Sequence, residues 1–77
     1  MDRRLVTTKE LARGLAISVA SVNYYTNLGL FDVEERQGNV RLYDLTDAKK
    51  RFRKIKDLRR SGYSLRIIQK ELNQKGS

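Results

Sequence analysis

Hydrophobic residues recur at helical spacing between Ser18 and Leu30, and the other elements can be arranged around this stretch. One apolar stripe is formed by Val19, Val22, Tyr25 and Leu28. Ser18 is a residue type that caps helix N-termini, and Gly29 is a type that ends helices in the left-handed conformation. The opposite face is small or polar and has no acidic residue: Ala20, Ser21, Asn23, Tyr24 and Asn27. The pattern predicts a short helix with one packed face and one polar face.

A second short helix is predicted immediately before this one. Thr7 and Glu10 have the spacing of a capping box, which favours a helix from Thr8 to Gly14. The following turn, Gly14 to Ile17, is small and apolar. The basic segment from Met1 to Val6 can be a short strand or a loose lead-in. Two short helices around a Gly-containing turn indicate a helix-turn-helix; the alternative is a helical hairpin within a small bundle.

The chain beyond Phe31 changes to the alternating period of extended strands. Two runs flank a Gly/Asn turn and predict a β-hairpin, Val33 to Arg36 and Val40 to Tyr43. The second run has two faces, of which one can pack and the other can reach outward. One face carries Val40 and Leu42, and the other carries Arg41 and Tyr43.

Two further helices are predicted after the hairpin. Asp44 is a suitable N-cap for a helix that runs to about Ser61 and stops at Gly62, and Ser64 caps a last helix from Leu65 to about Asn73. The buried stripe of the longer helix is Leu45, Ala48, Phe52, Ile55 and Leu58, and most of its basic residues are expected to form a solvated face. The fold class is therefore mainly α: a winged helix-turn-helix with a small two-stranded β-hairpin as its wing, followed by a helix pair, in one domain over residues 1–77.

The net charge of the chain indicates the chemical class of its partner. The 77 residues include 17 Lys and Arg against 9 Asp and Glu, a formal net charge of +8, which indicates a polyanion and above all nucleic acid. The chain has no Cys and no His, which excludes thiol and histidine catalysis and the usual zinc sites. We therefore expect no enzymatic activity, no cofactor and no metal. The sequence contains no membrane span and no apolar signal core, so a cytoplasmic location is expected.

Several blocks of the chain resemble the DNA-binding domain of the MerR family of transcriptional regulators. They are T-T-K-E-L-A, S-V-A-S-V-N-Y-Y-T-N-L-G-L-F, V-R-L-Y and I-K-D-L-R-R-S-G-Y-S-L-R-I-I, and together they extend from about Val6 to Leu72. The resemblance implies a winged helix-turn-helix and a bacterial-type transcriptional regulator that binds double-stranded DNA.

Candidate DNA-contacting residues are indicated by the family resemblance and by the hairpin pattern. The resemblance implies that four residues lie on the DNA-facing side of the second helix: Ser18, Ser21, Asn23 and Tyr24. It implies that Arg41 is the wing arginine that meets phosphate and that Arg59 grips the DNA backbone beside the helix-pair turn. The hairpin pattern adds Arg36, also near the tip, as a donor suited to phosphate or a minor groove. The alternative is a solvated hairpin, which the nearby Glu34 and Glu35 favour.

The chain departs from the family pattern in four respects. Asn23 replaces the usual Arg, and it can either read adenine or be a solvated amide. Asp32 replaces a common Pro, and the segment between Tyr43 and Gly62 is one residue longer than expected. The chain also stops where the family's long dimerisation helix begins. Homodimers through segments missing here, or side-by-side assembly on DNA, are both compatible with this. The alternative functions are an excisionase-like DNA-bending accessory protein and a basic protein-interaction module.

Overall fold

The computed structural model describes residues 4–75 of the chain, and the side chains of residues 4–72. Seven elements follow one another: β1 (Leu5–Thr7), α1 (Thr8–Leu15), α2 (Val19–Asn27), β2 (Glu35–Gln37), β3 (Val40–Asp44), α3 (Leu45–Arg60) and α4 (Leu65–Lys75). The mainly α winged helix-turn-helix, with its hairpin and following helix pair, is confirmed. The beginning of the basic lead-in, residues 1–3, lies outside the described residues.

The sheet has three antiparallel strands in the order β1-β3-β2, one more than the hairpin alone. Within the lead-in, Leu5–Thr7 forms β1 and pairs with β3, so that Val6 lies opposite Tyr43. The hairpin strands β2 and β3 are joined by a two-residue turn at Gly38 and Asn39, where Gly38 adopts φ 63°. β3 is thus the central strand, and it leads directly into α3.

Side-chain caps begin all four helices where the sequence predicts them. The Thr7 hydroxyl accepts from the Glu10 amide at 3.2 Å, and the Glu10 carboxylate accepts from the Thr7 amide at 2.8 Å. Ser18, Asp44 and Ser64 accept from the amides of Ser21, Asp47 and Ile67, respectively. Each cap satisfies a backbone donor that has no partner within its helix.

Helices α1, α2 and α3 end with the same pair of backbone hydrogen bonds, the Schellman arrangement. The bond of the pair that spans more residues joins Ile17 N–H to Ala12 C=O (2.9 Å) in α1. Its counterparts join Leu30 N–H to Tyr25 C=O (2.9 Å) in α2 and Tyr63 N–H to Leu58 C=O (3.0 Å) in α3. The arrangement needs one residue with positive φ, which Gly29 and Gly62 supply in α2 and α3. In α1 that residue is Ala16, at φ 58°, whereas Gly14 lies inside the helix.

The core gathers residues from the helices and from the sheet. The buried hydrophobic residues are Val6, Leu11, Ala12, Val22, Leu30, Phe31, Tyr43, Ala48, Ile55 and Ile68. One expectation about an individual residue is wrong. Val19 belongs to the predicted apolar stripe yet is 39% exposed. The sequence leaves the packed face of β3 open, and the structure shows that this face contains the fully buried Tyr43, while Val40 is 46% exposed, because the sheet presents the Tyr43 side to α2.

Ala16 allows a direct test of the α1–α2 turn. We expect Ala16→Gly to stabilise the protein by about 0.5–1 kcal/mol, because glycine adopts the left-handed conformation without strain. The higher entropy of the unfolded glycine chain offsets part of this gain. Urea denaturation gives the free energy of unfolding. The same substitution within α2, Ala20→Gly, should instead destabilise by about 1 kcal/mol. A loss of stability in both variants would contradict the role assigned to Ala16.

Candidate nucleic-acid interface

The outward face of α2 is the first component of the candidate interface. Its exposed residues are Val19, Ala20, Asn23, Tyr24 and Asn27, and none is acidic. Tyr24 is 52% exposed. Four of these five were predicted from the sequence. The face combines amide, phenol and small apolar groups, which suits contact with base edges better than contact with a cation.

Ser18 and Ser21 lie at the N-terminal end of this face and are joined to each other. The Ser18 hydroxyl accepts from the Ser21 amide at 3.0 Å and donates to the Ser21 hydroxyl oxygen, also at 3.0 Å. The cap therefore uses a lone pair of the Ser18 oxygen, and the Ser18 proton is donated to Ser21. Ser21, which is half-buried, keeps its own hydroxyl proton for a further acceptor.

Tyr25 belongs to the packed side of α2. Its ring lies edge-on to Phe31, with centroids 5.6 Å apart, and 6.3 Å from the centroid of Phe52. Phe31 is buried, so Tyr25 closes an aromatic cluster between α2 and α3. The neighbouring Tyr24 is on the outward side, and the Tyr24–Tyr25 pair thus divides into one exposed side chain and one packing side chain.

A partly buried hydrogen bond joins α2 to the sheet. The hydroxyls of Thr26 and Tyr43 are 2.9 Å apart, and the Thr26 hydroxyl is 2.8 Å from the Val22 carbonyl. Since the single Thr26 proton goes to Val22, the Tyr43 hydroxyl donates to Thr26. Sequence reasoning missed this contact because Thr26 resembles any polar residue near a helix end.

The hairpin, called the wing from here on, places its two arginines opposite each other. Arg36 of β2 pairs with Arg41 of β3, and both therefore share one face of the sheet with Tyr43. Glu35 pairs with Leu42 and points to the other face. Like charges directly opposite in a sheet are unfavourable unless an anion is shared between them.

A groove of about 460 Å³ lies between the N-terminal end of α2 and the wing. We call it the helix–wing groove, and it is lined by Thr7, Thr8, Lys9, Val19, Asn23, Asn39, Val40 and Arg41. It brings together Asn23 and Arg41, two of the predicted site residues. Lys9 adds a second cation, and no lining residue is acidic. Thr7, Thr8 and Lys9 were missed, because nothing in the sequence shows that β1 aligns the start of α1 with the wing.

The other five predicted site residues do not line this groove: Ser18, Ser21, Tyr24, Arg36 and Arg59. Arg59 is exposed in the last turn of α3, beside the Ser61–Ser64 turn, and does not line the helix–wing groove. Its position at a surface turn is the one that the sequence predicts.

Arg51 of α3 fastens the segment between α2 and the wing. Its guanidinium donates to Asp47 at 2.9 Å, to Asp32 at 2.8 Å and to the Leu30 carbonyl at 3.3 Å. Most basic residues of α3 are expected from the sequence to form a solvated face, and Arg51 is an exception. We call Arg51 with these three partners the Arg51 hub. It connects Arg51 to Asp32 and Leu30, which lie 19 and 21 residues earlier in the sequence, and no local sequence signal indicates this contact.

These features define a class of protein, the winged helix-turn-helix proteins. A family model described as MerR HTH family regulatory protein matches residues 6–75. The chain belongs to this family of DNA-binding regulators, which are typically not enzymes. Comparison with curated proteins and with solved structures gave no match.

The features of two other kinds of site are absent from the described part of the chain. Within it, no helix combines the length and the hydropathy needed to cross a bilayer. No group of three or more candidate metal ligands occurs there either.

The Arg51 hub can be tested by removing its charge while keeping its stem. Arg51→Met should destabilise the fold by about 1 kcal/mol at low salt, since the ion pairs are partly exposed and each is worth only a few tenths to 1 kcal/mol. The difference from wild type should shrink as salt is added. Arg53→Met, an exposed neighbour on α3, is the control and should change the free energy of unfolding by less than about 0.5 kcal/mol. Equal effects in the two variants would show that the hub does not fasten the segment.

Proposed function

We propose that this protein binds double-stranded DNA sequence-specifically and regulates transcription, without a catalytic step. The observation that supports this most directly is the helix–wing groove, where the reading face of α2 and the wing arginine meet in an acid-free surface. Family membership supports DNA-binding regulation in general. The cytoplasm, where bacterial-type promoters are located, is the site of action that we infer.

In this proposal α2 is the recognition helix and enters the major groove. Ser21, Asn23 and Tyr24 face base edges, and Ser18 lies at the phosphate side of the helix N-terminus. The positive end of the helix dipole favours an anion there. An amide such as that of Asn23 can donate to and accept from one adenine at the same time.

Phosphate contacts come from the wing and from Arg59. The opposed Arg36 and Arg41 are unfavourable together in the free protein, so a phosphate between them relieves repulsion as well as forming new hydrogen bonds. Arg59 supplies a further backbone contact at the other end of α3. Such contacts fix register on the duplex and carry no sequence information.

Arg41→Ala tests the phosphate role. We expect weaker binding to every duplex and a salt slope, log Kd against log salt, that is shallower by about one unit. Fluorescence anisotropy at several salt concentrations measures the slope. Lys54→Ala on α3 is a control with the same change in net charge, and its slope should stay near wild type. An unchanged slope in Arg41→Ala would remove the wing from the interface.

Asn23→Ala tests base reading by α2. Binding-site selection from a random duplex pool should show relaxed preference at one base step, with a loss of about 1–3 kcal/mol in discrimination there. The preferences at other steps should be kept, because their reading residues are unchanged. An equal loss of affinity for all sequences would instead make Asn23 a positioning residue.

The same titrations separate the alternatives. Absence of salt-sensitive binding to random duplex at micromolar concentration would favour the protein-interaction module. A large bend angle with cooperative binding along the site would favour the excisionase-like accessory role. The stoichiometry on one selected site distinguishes a monomer from a homodimer or from side-by-side assembly.

A further inference from the structure

Val19 is an apolar side chain left at the surface at the start of the recognition helix. It is the first residue of α2 and is 39% exposed. A single exposed valine is ordinary by itself. What distinguishes Val19 is its place, one helical turn before Asn23 and on the same wall of the helix–wing groove.

The chemistry of that wall restricts what it can contact. Val19 and Val40 form its apolar part, Asn23 supplies an amide, and Lys9 and Arg41 supply positive charge. A fitting surface is therefore anionic overall, with a hydrogen-bonding edge next to an apolar group. The major-groove edge of an A·T pair presents this combination, because it carries adenine N7 and N6 beside the thymine 5-methyl group.

We propose that Val19 contacts the 5-methyl group of a thymine and makes thymine the preferred base at that position. Residues at i and i+4 of a helix have Cβ atoms about 5–6 Å apart, and successive bases are about 3.4 Å apart along the duplex. The thymine therefore lies within about two base steps of the base that Asn23 faces. The N-terminal residues of a recognition helix are the ones that reach base edges in such folds. The inference rests on the proposed DNA-binding function.

The experiment removes only the methyl group. After a binding site has been selected, each thymine in it is replaced in turn by 2′-deoxyuridine, which pairs with adenine in the same way. For the wild-type protein one replacement, near the step that depends on Asn23, should weaken binding about fourfold, the effect of losing one buried methyl group.

Val19→Ala identifies the side chain responsible. This variant should bind the thymine and the deoxyuridine duplexes with nearly equal affinity, because its shortened side chain no longer reaches the methyl group. Val40→Ala is the matched control, since it removes the other exposed valine of the groove. It should keep the fourfold difference. Circular dichroism establishes that both variants are folded.

Each outcome decides between the claims. If a site is selected but no deoxyuridine replacement near the Asn23-dependent step weakens binding, or no thymine occurs there, the inference is wrong while sequence-specific binding stands. A deoxyuridine effect that persists in Val19→Ala assigns the methyl contact to another residue and also overturns it. If no site is selected at all, the proposed function fails, and the inference fails with it.

Discussion

The hydrogen bond from Tyr43 to Thr26 is the contact on which the relation between helix and wing depends. Tyr43 is fully buried, and its hydroxyl would be a costly unpaired group without this partner. It lies on β3, the strand that pairs with both β1 and β2. α1 follows β1 directly and α3 follows β3 directly. β3 is therefore connected to β1 and β2 by strand pairing, to α3 by the chain, and to α1 through β1. The Tyr43–Thr26 bond adds α2 to that set.

This arrangement sets the distance and angle between the α2 face and the wing before any ligand binds. Preorganisation of this kind reduces the ordering entropy lost on association. The one long connection between α2 and β2 is restrained from α3 by Arg51, through Asp32 and the Leu30 carbonyl. Asp32 stands where the family commonly has proline. A proline restricts the backbone conformation of the segment through its own fixed φ, whereas this ion pair restricts it through a contact with another helix. The two solutions are physically different, and the second is sensitive to salt.

The features that the sequence predicts correctly are those whose signals are local. The caps at Thr7, Ser18 and Asp44 and the glycine ends of α2 and α3 each involve residues within about five positions, where spacing alone defines the geometry. The hairpin turn is of the same kind.

The features that the sequence does not predict concern residues whose surroundings are set by other elements. The alternation along β3 does not show whether Tyr43 or Val40 is buried, because the choice of packed face depends on where α2 lies against β3. Arg51 looks like any basic residue of α3 until Asp32 and Leu30 are brought beside it. Val19 has the helical spacing of the core stripe but lies at its edge, and periodicity cannot distinguish an edge from a centre. In the site, Asn23 and Arg41 were predicted individually, while their meeting in one groove required the three-stranded sheet.

If the protein binds DNA as proposed, the positive charge of the chain acts in two different ways. Only two cations, Lys9 and Arg41, line the helix–wing groove, whereas α3 alone carries eight basic residues. The molecule extends 36 × 27 × 23 Å, and charges are screened beyond about 8–10 Å at physiological salt. The α3 cations that are distant from a bound duplex therefore contribute little to the affinity of the final complex. Their field still acts on a polyanion at encounter and raises the association rate. Net charge thus indicates the class of partner, while in the proposed function the discrimination between sequences depends on the few side chains of the α2 face.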